Sequence, residues 1–104
     1  MKSVEIKNWI VKDKEGKEVE DSFLNVINYV ISVGQQKDNL AGFDNMRKLN
    51  RVGLAMDEAI KTKKLSLEDD DYKFIKELIN KHSPAIWGTN PNIMDSVTEF
   101  MELK

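Results

Sequence analysis

At 104 residues, with 40% apolar and 33% charged side chains, the chain has the composition of one folded domain with a single core. A formal charge of −2 gives no global pull toward nucleic acid or an anionic membrane, and the lack of cysteine excludes disulfides, thiolate metal sites and a cysteine nucleophile. The start, Met1 to Lys7, lacks the apolar core of a signal peptide, and the longest uncharged run, Ser22 to Gln36, is too short for a membrane span.

Val4, Ile6, Trp9 and Val11 sit in a broken alternation that predicts strand. Lys12 to Lys17 reads as a polar hairpin turn with Gly16 supplying positive φ, and Val19 lies on the return strand. Such a hairpin is marginal alone and must lean on helices. Asp21-Ser22 caps a helix expected to run to about Val33 and to stop at Gly34. Its β-branched content favours strand, but Asn25, Asn28 and Ser32 recur at three and four, which decides for helix.

After a loop over 35–42, a second helix is expected over 43–63. It places Met46, Leu49, Val52, Met56, Ala59 and Ile60 on an inward face and Phe43, Arg47, Asn50 and Leu54 on an opposite stripe. Leu65-Ser66-Leu67 is either a brief strand or a connector. Ser66 with Asp69 resembles a capping box, and the acidic run Glu68 to Asp71 suits the positive end of a helix dipole. Tyr72, Phe74, Ile75, Leu78 and Ile79 form the inward face of that third helix. Two prolines then impose a rigid, non-helical connection holding Ile86 and Trp87, both expected to be buried between the third and fourth helices. Asn90 as cap and Pro91 at the first helical position open the last helix, whose inward face is Ile93, Met94, Val97, Phe100 and Met101. The expected fold is α+β and mostly helical, an N-terminal β-hairpin packed on about four α-helices, forming one domain over residues 1–104.

Chemistry-bearing motifs are sparse. Glu68 to Asp71 lacks the alternate ligand spacing, glycine turn and distal Glu of a calcium loop, so no metal site is expected. His82 is the only histidine and closes a helix, where such residues are common, with no Ser-His-Asp order or HExxH pattern around it. The five glycines are isolated and make no phosphate-binding loop. Neither a cofactor nor a catalytic residue is therefore assigned, and the chain is expected not to be an enzyme.

Two surfaces remain. The stripe Phe43, Arg47, Asn50 and Leu54 gives its helix a second apolar side, which is either covered by the hairpin or open to a partner. For so short a chain, burial under the hairpin is the expectation. Trp87 is likewise a core plug or an anchor for a partner. Separately, Arg47, Lys48, Arg51, Lys61, Lys63 and Lys64 outnumber Asp44, Asp57 and Glu58 on the same helix, an excess that could touch phosphates. The leading expectation is a cytoplasmic, non-enzymatic protein-binding or assembly protein, its partner another protein or a second copy in a homodimer. The alternative is a nucleic-acid-binding accessory protein using helix 43–64. The abundance of Lys, Asn and Ile, with arginine only at Arg47 and Arg51, suits an AT-rich bacterial or phage genome and so a phage or prophage accessory factor.

Overall fold

A computed structural model describes residues 1–103. In chain order it contains β1 (Lys2–Glu5), β2 (Asn8–Lys12), β3 (Glu18–Ser22), α1 (Phe23–Lys37), α2 (Phe43–Thr62), β4 (Lys64–Leu67), α3 (Asp69–His82) and α4 (Pro91–Met101). The fold class is the expected one, α+β and mostly helical.

The broken alternation at the N-terminus marks a change of sheet. Val4 and Ile6 keep one phase and Trp9 and Val11 the other, and the slip falls where β1 gives way to β2. β1 pairs antiparallel with β4, Val4 opposite Leu65, and Ser3 and Ser66 share a hydroxyl hydrogen bond of 2.8 Å. β2 and β3 form the hairpin, Val11 opposite Val19, with Gly16 at φ 81° in its turn. Thus Leu65-Ser66-Leu67 is a strand, and the first strand of the chain does not belong to the hairpin. Nor does Ser66 cap α3. The cap position is Glu68, which makes no side-chain cap bond, and Asp69 instead pairs with the N-terminal amine at 3.1 Å.

The core gathers Phe23, Ile27 and Val30 from α1, Leu65 from β4, Ile75 from α3 and Phe100 from α4. Phe100 stacks obliquely on Phe23 at 5.3 Å and on Tyr72 at 4.9 Å, while the Tyr72 hydroxyl donates to the Phe100 carbonyl at 2.7 Å. Burial pushes the Tyr72 phenol above its ordinary pKa. Trp9 is also buried, and among the described residues its indole N–H finds no acceptor, a donor whose desolvation is uncompensated there.

α1 does not stop at Gly34. The Ser22 hydroxyl accepts from the Leu24 amide as expected, but the helix continues to Lys37 and is capped at Asp38. Gly34 is needed for packing instead: a Cβ there would lie 2.7 Å from Leu78 Cδ2 of α3. The C-terminal ends of α1 and α3 meet at this point, and the His82 Nε2 lies 2.8 Å from the Asp38 carboxylate. That hydrogen bond from His82 holds the Asp38 carboxyl below its ordinary pKa.

The proline-bounded connection is a short 3-10 helix, Ala85–Thr89, rather than irregular chain. Trp87 is half-buried and meets Tyr29 of α1 edge-on at 5.2 Å, but Ile86 is 70% exposed. The expectation that both are buried between α3 and α4 therefore fails for Ile86 and holds only in part for Trp87, which is half-buried and meets α1. A 3-10 turn places neighbouring residues about 120° apart, so only one of the two can face the helices. Asn90 caps α4 by accepting from the Asn92 and Ile93 amides, with Pro91 at the first helical position. Met94, expected inward, is exposed, and Ser96 is buried in its stead.

Candidate interaction surface

α2 is anchored from one side. It rests on β4, with a smaller contact to α3, whereas α1 packs principally on α3. Val52 and Ala59 are fully enclosed and Met56 nearly so, which fixes the inward direction of the helix. Successive residues turn about 100° around an α-helix, so Phe43, Asn50 and Leu54 point almost opposite to Val52. Phe43 is 66% and Leu54 62% exposed. The hairpin does not cover this stripe. The reason is topological: the hairpin joins the fold through β3, which runs directly into α1, and it meets α2 only at its C-terminal end, where Asn8, Glu20 and Asp21 share a pocket with Ala59, Ile60 and Lys63.

The exposed apolar arc is wider than the four residues of the stripe. Met46 and Ile60, assigned by periodicity to the inward face, are 58% and 61% exposed. They lie about 120° and 80° round the helix from Val52, beyond the reach of β4 and α3. Between them is Gly53, where a Cβ would meet no described atom within 4 Å. Met46, Gly53 and Ile60 recur every seven residues, the repeat of a helix seam, and that spacing was the signal available in the sequence. On this flank a cleft of about 310 Å³ separates α2 from α1, with Leu24, Asn25 and Asn28 facing Gly53, Met56 and Ile60.

Arg47 edges this surface, whereas Asn50, Asp57 and Lys61, all exposed, lie within it at about 160°, 140° and 180° round the helix from Val52. The Arg47 guanidinium lies 5.7 Å from the centre of the Phe43 ring, close enough for cation–π attraction. Trp87 is not part of the surface. It packs on Tyr29, about 140° round α1 from Leu24, and so on a different flank.

The basic residues of helix 43–64 do not converge. Arg51 is held by Asp71, Nε and Nη2 donating to the two carboxylate oxygens at 2.9 and 2.8 Å. Asp71 is only 1% exposed, so this fork is part of the fold. Its hydrogen bonds raise the Arg51 pKa further above an already high value. Lys48 lies over the Phe74 ring at 5.6 Å. Arg47, Lys48 and Arg51 do share a shallow depression with Asp44. Lys61 is about 21 Å further along the helix axis, counting 1.5 Å per residue from Arg47. Lys63 is the left-handed residue that ends α2, at φ 62°, and Lys64 begins β4.

Among the described residues, no three His, Cys, Asp or Glu side chains come together as a metal site would require, and no helix is long and apolar enough to cross a membrane. The acidic run Glu68 to Asp71 is divided between structural duties, Asp69 to the N-terminus and Asp71 to Arg51. No family, curated protein or solved structure matches the chain.

Proposed function

We propose that this chain is a non-enzymatic protein-binding or assembly protein, and that its docking surface is the outer side of α2. The observation that carries the reading is a helix whose uncovered side holds several large apolar side chains interspersed with Asn50, Asp57 and Lys61. Phe43, Met46, Leu54 and Ile60 remain largely exposed there. Four large apolar side chains on one helical face are costly to leave in water and are a common mark of an interaction surface. An arginine stacked on an exposed phenylalanine adds the residue types that most often anchor interfaces. A reducing, cytoplasmic setting fits the cysteine-free sequence, and the lysine-rich, arginine-poor usage fits a phage or prophage accessory role.

The test is a photo-crosslinking amino acid placed at Leu54 in the native host, with the same group at Lys14 in the hairpin turn as a control. A discrete protein adduct at position 54 and none at position 14 is the expected result. Equal, diffuse labelling at both positions would overturn the reading. Nucleic-acid binding is the second reading, favoured by the shared depression of Arg47, Lys48 and Arg51. Its signature would be affinity that falls steeply with salt, through release of phosphate counterions.

A further inference from the structure

We infer that the cleft between α1 and α2 receives a segment of another protein that carries a lysine or arginine beside an apolar side chain. The inference rests on the protein-binding reading and names the chemistry of the partner.

The space exists because two consecutive helices do not close on each other: α1 packs principally on α3, and α2 on β4. The cleft at Gly53 continues past Leu24 and Ile60, which border both spaces, into a second hollow of about 240 Å³ beside the hairpin. The two compartments differ in character. The first has Leu24, Met56 and Ile60 in its walls, and a Cβ at Gly53 would meet no described atom within 4 Å. Glycine is a poor helix former, and at this position it leaves the first compartment open. The second joins the apolar Ile6 and Ala59 to the carboxylates of Glu20 and Asp21.

Charge says what enters the second compartment. One Asp21 oxygen accepts from the Ser22 amide at 2.8 Å and from the Asn25 side-chain amide at 2.6 Å. One Glu20 oxygen accepts from the Asn8 side-chain amide at 2.7 Å. Neutral donors thus orient both carboxylates and leave their charge uncompensated, and Asp21 is half-buried. Asp57 borders the first compartment, and no ion pair among the described residues includes Glu20, Asp21 or Asp57. Lys63 borders the second compartment without pairing there, and Lys61 borders neither. Three carboxylates therefore stand against one ammonium, and the complementary occupant is a cation. Apolar walls beside carboxylates suit the methylene stem and charged head of a lysine or arginine. A bare metal ion does not fit, because no three His, Cys, Asp or Glu side chains converge among the described residues. An apolar side chain next to the cationic one fills the first compartment, so the groove reads two neighbouring side chains of one chain.

The test titrates the isotope-labelled chain with two blocked tripeptides, N-acetyl-Leu-Arg-Leu-amide and N-acetyl-Leu-Glu-Leu-amide, and follows its amide resonances. The arginine peptide should shift the Gly53 backbone amide and the Asn25 and Asn28 side-chain amides, and bind at least tenfold more tightly than the glutamate peptide. Asp21→Asn keeps an oxygen to accept both hydrogen bonds but removes the charge. It should weaken the arginine peptide about fivefold or more with an unchanged circular-dichroism spectrum. Gly53→Leu fills the first compartment and should abolish binding while the chain stays folded. Equal affinity for the two peptides, no saturable shift with either, or an Asp21→Asn variant that binds as the parent does would overturn the proposal. Crosslinking at Leu54 separates this failure from that of the broader reading. A discrete adduct there, with no preference between the peptides, refutes the cationic groove alone, whereas no adduct and no preference refute both.

Discussion

Two ion pairs in this fold have unequal weight. Arg51–Asp71 joins α2 to α3 through a carboxylate removed from water, so Asp71 without its partner would be a buried, uncompensated charge. His82–Asp38 joins the ends of α3 and α1, and its consequence is a pH dependence. Asp38 is shifted below its ordinary value near 3.8, chiefly by the hydrogen bond from His82, with lesser attraction from the charges of His82 and Lys81. A carboxyl depressed in the folded state contributes stability above its unfolded pKa, and that contribution disappears as pH falls through the folded value. The affected window is therefore acidic, below about pH 4. Melting temperatures followed from pH 6 to pH 2 should fall less steeply for His82→Ala than for the parent, whatever constant offset the lost packing adds. Equal slopes would show that the contact does not bias the Asp38 titration.

At the scale of elements, the two helical glycines make opposed predictions. Gly34→Val forces methyl groups onto Leu78 and Leu40, which already crowd that position, and should destabilise by about 1–3 kcal/mol, the range for overpacking. Gly53→Ala meets open space and gains helix propensity, so it should stabilise the monomer by roughly 0.5–1 kcal/mol. Urea melts at low micromolar concentration give both signs, and a loss at Gly53→Ala under those conditions would place a neighbour there. The same pair shows what sequence could reveal. The hairpin turn and the caps of α1 and α4 were legible because Gly16, Ser22, Asn90 and Pro91 act locally, whereas the capping box read at Ser66 was not one, the cap position of α3 being Glu68. Gly34 was not, because its reason for being glycine is Leu78, distant in the chain. Likewise the phase slip between Ile6 and Trp9 was visible as broken alternation, but its meaning depended on β4, some sixty residues away. Met46 and Ile60 were misassigned because periodicity gives direction around a helix and not how far the neighbouring elements extend.

For the whole molecule, the question is which apolar residues hold it together and which merely ride on it. The fold measures 42 × 30 × 23 Å, with a radius of gyration of 13.7 Å. A compact chain of this length has a radius near 13 Å, so little apolar surface is wasted by open shape. The exposed α2 face is then a property of where the elements stop. Phe100, at 1% exposure between Phe23 and Tyr72, belongs to the core, and Phe100→Ala should cost about 3–5 kcal/mol. Phe43 and Leu54 lie outside it. The double variant Phe43→Asp/Leu54→Asp should stay within about 0.5 kcal/mol of the parent per site, as surface substitutions do. It should also retain the helical circular-dichroism spectrum while losing the Leu54-directed contact. Both residues removed at once is the stringent form of the experiment, because the two charges face the same stretch of solvent or the same partner. Unfolding of the double variant at low concentration would mean that α2 is covered on both sides within one chain. The interface would then fail with it, since a face already buried has nothing left to offer a second molecule.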